Sequence, residues 1–179
     1  MLGQGANAIT TVTQPPVPTL LIVYHSATGG TAQLARAALQ GAQRAEGLQV
    51  RLLHARDAGP DDLLAAQGYL FATPENLAAI AGLMKDFFDR CYYPVLGRID
   101  GRPYALLVCA GSDGSNAVRQ VERIALGWRL RKVAESLIVC THAQTTEAIL
   151  APKQIPASEV QACEEVGEAL GNGMVMGLF

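Results

Sequence analysis

From residue 19 onward, short apolar runs alternate with longer stretches whose apolar residues return every third or fourth position. Runs at 20–25, 49–54, 68–72, 104–109 and 137–141 predict strands. All but the second are nearly continuous in apolar residues, as strands covered on both faces must be. Between them the period changes. Thr31, Leu34, Ala35, Ala38, Leu39 and Ala42 mark one buried helical face; Leu77, Ile80, Ala81, Met84 and Phe88 mark a second, following the third strand. Val160, Cys163, Gly167, Leu170 and Met174 mark a third near the end of the chain. Residues 61–66 predict only a short helical turn. Crossovers this long rule out hairpins and predict a five-stranded parallel sheet with helices on both faces, a doubly wound α/β domain. Such sheets bind ligands beyond the carboxyl ends of their strands, so the loops after the first, third and fourth strands are the ones that matter.

The first of these loops, His-Ser-Ala-Thr-Gly-Gly-Thr, is built for an anion. Ser26, Thr28 and Thr31 supply hydroxyls, and Gly29 and Gly30 let the backbone curl so that its N–H groups converge at a helix amino end. No Lys or Arg occurs between His25 and Arg36, so the expected grip on a phosphate uses neutral main-chain donors and the helix dipole alone. The competing reading is that the hydroxyls merely cap the helix while the glycines turn the chain. Other phosphate-binding patterns do not match this sequence. Neither G-x-x-x-x-G-K-[ST] nor G-x-G-x-x-G is present in the loop. An arginine six residues after a cysteine, as in a cysteine phosphatase, is lacking: those positions hold Gly97, Ser115, Thr146 and Ala169. Ala72 and Thr73 stand where a phospho-acceptor aspartate would end the third strand.

Composition narrows the field. Half of the 179 residues are hydrophobic, 17% are charged and the formal net charge is −2, so nothing points to a nucleic-acid partner. No apolar run approaches the roughly 20 residues of a membrane span. Cys91, Cys109, Cys140 and Cys163 lie far apart, without a C-x-x-C pair or zinc spacing, and read as thiols of a reducing cytoplasm. No metal site is expected. Residues 1–18 have neither a basic segment nor a long apolar one, so no secretory leader is expected; they read as an extended arm leading into a domain over 19–179.

The segment Ser26-Ala27-Thr28-Gly29-Gly30-Thr31 resembles the [ST]-x-T-G-x-T phosphate loop of flavodoxins. The stretch Ala72-Thr73-Pro74-Glu75-Asn76-Leu77, with the Lys85 to Arg90 segment behind it, resembles the second FMN loop of flavodoxin-like NAD(P)H-dependent oxidoreductases, with Ala72 in place of the usual glycine. The likeness extends over nearly all of residues 19–179. It implies a flavodoxin-like sheet of order 2-1-3-4-5 and FMN as cofactor. Ser26 to Thr31 would hold the phosphate. Thr73, Pro74, Glu75, Asn76 and Leu77 would meet the edge of the flavin ring, with Pro74 biasing Thr73 away from helix and Glu75 and Asn76 supplying acceptors and donors. Ala110, Gly111, Ser112, Asp113 and Gly114 would support the ring from the other side. Taken alone, the Pro-containing segment also fits a helix-capping turn, and Gly-Ser-Asp-Gly is a common turn.

The activity this implies is NAD(P)H-dependent reduction of a quinone, a flavin or a similar small-molecule electron acceptor through FMN. The alternative is an electron carrier without turnover of its own. The near-neutral charge favours the enzyme, since carriers of this kind resemble one another in strong acidity. Hydride transfer to a flavin needs an open ring face more than an acid or base, so no catalytic side chain is nominated. His142 would stand at the correct sheet edge, or on the surface. Tyr92 and Tyr93 would line an interface, or simply pack. Arg119, Arg123, Arg129, Arg131 and Lys132 would attract the extra phosphate of NADPH, or form a solvated face. By resemblance, a homodimer or homotetramer is expected.

Overall fold

The computed structural model describes residues 17–179. The arm expected over residues 1–18 lies, apart from Val17 and Pro18, outside them. In chain order the elements are β1 (Thr19–Tyr24), α1 (Gly30–Ala42), β2 (Gln49–His54), α2 (Pro60–Ala65), β3 (Gly68–Asn76), β4 (Ala79–Ile80) and α3 (Gly82–Val95). There follow β5 (Pro103–Ala110), α4 (Ser115–Gly127), β6 (Arg131–Lys132), β7 (Leu137–Cys140), α5 (Thr146–Leu150) and α6 (Ala157–Val175). Strand pairs β2–β1, β1–β3, β3–β5 and β5–β7 are all parallel, which reproduces the expected five-stranded order. Two 2-residue strands are added to it: β6 runs parallel to β5 ahead of β7, and β4 folds back antiparallel on the end of β3.

Alternation explains why the strands read as continuous apolar runs. Leu21, Val23, Tyr69, Phe71, Leu106 and Val108 face one side of the sheet and pack with Met84, Phe87, Phe88 and Trp128. Leu20, Ile22, Leu70, Ala72, Ala105 and Leu107 face the other and pack with Leu34, Ala38, Cys163 and Leu170. Each strand therefore feeds two cores, and only a two-sided cover hides both. On the second side α1 and α6 touch backbone to backbone: a Cβ on Gly41 would collide with the Glu164 carbonyl, and one on Gly167 with the Ala38 carbonyl. The glycines in these helices are there to allow that approach, which sets the position of α1 over the sheet.

One expectation was wrong in its start. The helical rhythm from Leu77 onward is a hairpin as far as Ile80, and α3 begins only at Gly82. Glu75 pairs with Ile80 and Asn76 with Ala79, leaving Leu77 and Ala78 as a two-residue turn with φ of 51° and 57°. Both left-handed residues carry side chains, at a cost of the order of 1–2 kcal/mol each. Tertiary partners hold the turn: Gln120 Oε1 on α4 accepts from the Ile80 N–H at 2.9 Å, and the Asn116 amide donates to the Ala78 carbonyl. A local period cannot register bonds supplied from forty residues away.

Candidate functional site

A cleft of about 520 Å³ opens at the carboxyl ends of β1, β3 and β5, within the ~300–1,000 Å³ usual for small-molecule sites. It is where the topology predicts a ligand, and its floor and two of its walls come from the three loops singled out from the sequence.

The floor is the loop between β1 and α1. Ser26 Oγ accepts from the Gly29 N–H at 3.1 Å, closing a tight turn, and Gly29 sits at φ 86° as the residue preceding α1. Gly30 is required for a different reason: a Cβ there would come within 2.7 Å of Cys109 Sγ on β5. The loop thus lies directly on the neighbouring strand. Thr31 is buried beside the same cysteine, whose thiol is pushed up by burial, with the Thr31 hydroxyl acting against that shift. The N–H groups of Ala27, Thr28, Gly30, Thr31 and Ala32 have no acceptor among the described residues. Several unclaimed donors at one helix amino end, with the dipole behind them, make an anion cradle. Ser26, Ala27, Thr28, Gly30 and Thr31 line the cleft.

The second wall is the β3–β4 hairpin. Pro74, Glu75, Asn76 and Leu77 line the cleft, and the backbone from Thr73 onward is extended, as Pro74 requires. Leu77 at the tip is fully exposed. Thr73 is wholly buried behind the wall; its Oγ1 donates to the Pro74 carbonyl and accepts from the Ala81 N–H, bracing the hairpin. Glu75 has a task that sequence reasoning did not foresee. Its carboxylate accepts from the N–H groups of Gly114 and Ala117, both at 3.0 Å, and so caps α4. Asn76, by contrast, makes no side-chain hydrogen bond among the described residues.

The third wall differs from expectation. Ala110 and Gly111 line the cleft, whereas Ser112, Asp113 and Gly114 stand back from it. Asp113 turns to its own loop, accepting from the Ser115 N–H at 3.3 Å and the Ser115 hydroxyl at 2.7 Å. His142 is exposed and outside the lining, although its neighbours Thr141 and Ala143 are in it. Within the basic group Arg129 pairs with Asp100, and Lys132 pairs with Glu122 and Glu135, whereas Arg119, Arg123 and Arg131 form no ion pair among the described residues. Tyr92 and Tyr93 lie on the surface of α3, their rings 4.8 Å apart.

The outer wall was missed altogether. Ile149, Leu150 and Lys153 close the cleft from the segment around α5, which lies over the first loop. A signal was available: Thr145 caps α5 by accepting from the Ala148 N–H at 3.2 Å, and Thr-Thr-Glu before an apolar pair is a helix-start pattern. Lys153 brings a cation near a cradle expected to have none. Its ammonium, however, donates to the carbonyls of Ala148, Ile149 and Ala151 at 2.6–2.8 Å, which uses all three of its protons. The cradle keeps its neutral character.

Beside the cleft, at the ends of β1 and β2, His25 Nδ1 and His54 Nε2 are 3.1 Å apart. Arg56 donates from its backbone and its Nε to His54 Nδ1, so the His54 hydrogen sits on Nε2 and points to His25. Burial holds both imidazoles below the usual histidine value; for His25 the nearby His54 and Arg56 add to this, and for His54 it is Arg56. No group of His, Cys, Asp and Glu suited to a metal occurs among the described residues, and no helix among them is long and apolar enough to cross a membrane.

Comparison with known proteins agrees with this architecture. Residues 60–144 match the family of NADPH-dependent FMN reductases. The chain is similar to a flavodoxin of Aquifex aeolicus, 36% identical over 94 residues, or 52% of this chain and 49% of that one. It is also similar to an NAD(P)H dehydrogenase (quinone) of Acidithiobacillus ferrooxidans, 32% identical over 91 residues, or 40% of this chain and 46% of that one. The matches span about half the length of these curated relatives. Among solved structures, a flavodoxin, WrbA-like protein from Agrobacterium tumefaciens superimposes with a TM-score of 0.70 at 16% identity, covering 89% of this chain and 98% of that one. At that identity the likeness speaks for the fold alone. The chain therefore has a flavodoxin-like fold, and its residues 60–144 carry the likeness to the NADPH-dependent FMN reductases.

Proposed function

We propose that the chain is an FMN-binding oxidoreductase that takes hydride from NAD(P)H and delivers electrons to a small acceptor such as a quinone or a flavin. One observation carries this reading: a cradle of unclaimed main-chain donors opens into the same cleft as the extended Thr73–Asn76 edge. The cradle fits a phosphate ester. Its donors are neutral N–H groups at a helix amino end, and the space above Gly30 would be lost to a Cβ pressed on Cys109. In this reading Ser26, Ala27, Thr28, Gly29, Gly30 and Thr31 hold the phosphate. Pro74, Glu75, Asn76 and Leu77 on one side, with Ala110 and Gly111 on the other, flank the ring through their backbone, because the Glu75 carboxylate is already committed to α4. Thr73, Ser112, Asp113 and Gly114 support those walls from behind. When bound, FMN supplies the capacity to accept hydride and pass on electrons; the chain binds it, orients it and leaves one approach open. No side chain is assigned acid–base work.

The likeness to a flavodoxin supports a second reading, an electron carrier. The formal net charge of −2 favours the enzyme. Purified protein titrated with FMN and mixed anaerobically with NADPH or NADH separates the two: bleaching of the bound flavin is expected for the enzyme, and a yellow protein indifferent to both nicotinamides identifies the carrier. A protein that leaves FMN free in solution overturns both.

A further inference from the structure

Lys153 joins two parts of the site that are distant in sequence, the stretch from Thr28 to Gln33 and the segment around α5. Its N–H donates to the Thr28 carbonyl at 2.8 Å, and its carbonyl accepts from the Gln33 amide at 2.7 Å. Its side chain packs beside Gly30, 3.4 Å from where a Cβ would stand, and its ammonium covers the last carbonyls of α5. A five-residue helix has no stability of its own, and the exposed Ile149 and Leu150 it presents to the cleft have little else to fix them. A cation on the final carbonyls is the contact that ends such a turn cleanly.

Resting on the flavin reading, we infer that Lys153 is a positioning residue: by tying the end of α5 to the phosphate loop it holds Ile149 and Leu150 as the apolar outer wall against which a ligand's ring packs. Its ammonium does not touch the phosphate, since its three protons face α5. Binding the loop and the wall through one residue makes the wall follow any movement of the cradle.

The test compares FMN with riboflavin, which lacks the phosphate, in the wild-type protein and in Lys153→Met, which keeps the aliphatic stem against Gly30. Both flavins are expected to weaken by the same factor, about tenfold, of the order of one lost aliphatic contact. Leu150→Ala should weaken both flavins as well, and adding it to Lys153→Met should cost less than it does alone, because the wall is already displaced. Amide exchange over residues 148–151 should speed up in Lys153→Met without any ligand. A loss confined to FMN would show a direct phosphate contact and overturn the inference, as would unchanged affinities or strictly additive losses. If the wild-type protein binds neither flavin, the ligand reading falls, and the exchange measurement alone decides whether the latch exists.

Discussion

The loop between β1 and α1 and the loop between β5 and α4 solve one geometric problem with opposite results. Each turns from a buried parallel strand into a helix through a glycine in the left-handed region, Gly29 at φ 86° and Gly114 at φ 84°. Each presents a helix amino end to the same edge of the sheet. At α4 the donors are taken by an anion the protein itself supplies, the Glu75 carboxylate, with Asp113 adding a bond to Ser115. At α1 no carboxylate among the described residues accepts from the amino end, and the donors stay open. The lesson is that a helix amino end is neither a binding site nor a structural joint by itself. What decides is whether the fold brings its own anion to it.

The comparison can be broken most severely at Gly30. Gly30→Val would drive side-chain atoms into Cys109 Sγ, and FMN affinity should fall by a hundredfold or more, with a stability cost of about 1–3 kcal/mol from overpacking. Flavin fluorescence titration and urea unfolding read the two effects separately; near-normal affinity would remove the cradle from the site. Glu75→Ala should instead act first on stability, lowering it by about 1.5–3 kcal/mol through two lost charge-assisted bonds and the two donors left at α4. Added sulfate should then recover stability in that variant beyond its effect on the wild type, because the emptied end of α4 has become like that of α1. Equal sulfate responses would contradict the proposed symmetry. Ser26→Ala removes the acceptor for the Gly29 N–H and one hydroxyl from the cradle, and about five- to tenfold weaker FMN binding is expected, in keeping with about 1 kcal/mol for a single hydrogen bond.

A smaller effect comes from the histidine pair next to the cradle. Both imidazoles are held below their usual value near 6.5, by burial first. Below about pH 6.5 the unfolded chain therefore binds protons that the folded pair resists, so stability is present above that pH and declines as the pH falls beneath it. The thermal midpoint should drop between about pH 7 and about pH 5.5, and replacing both histidines with glutamine should flatten part of that slope. An unchanged slope would remove His25 and His54 from the account of acid sensitivity.

How far the sequence could be read depended on how local the cause was. The five main strands and the α1 cradle were legible because alternation, continuous apolar runs and a Gly-Gly turn act over neighbouring residues. The start of α3 was misread because Leu77, Ile80 and Ala81 keep a helical period while Gln120, Asn116 and Thr73 hold the backbone as a hairpin. Glu75 reads from the sequence as a polar partner for a ring, and only the placement of α4 beside it shows the carboxylate capping that helix. Ser112 and Asp113 had the composition of a ring-supporting loop, yet they stand outside the cleft lining, and Asp113 bonds to Ser115.

By itself, the order of apolar and polar residues determined that this chain builds a two-faced parallel sheet and turns through paired glycines into a helix after its opening strand, leaving main-chain donors unclaimed there. Both follow from short-range sterics and from the need to hide each strand twice. Only the tertiary structure decided which nest stays open, which is filled by Glu75, and that the segment from α5 to Lys153 closes the cleft. Those choices depend on charges and carbonyls meeting across stretches of chain that no periodicity connects.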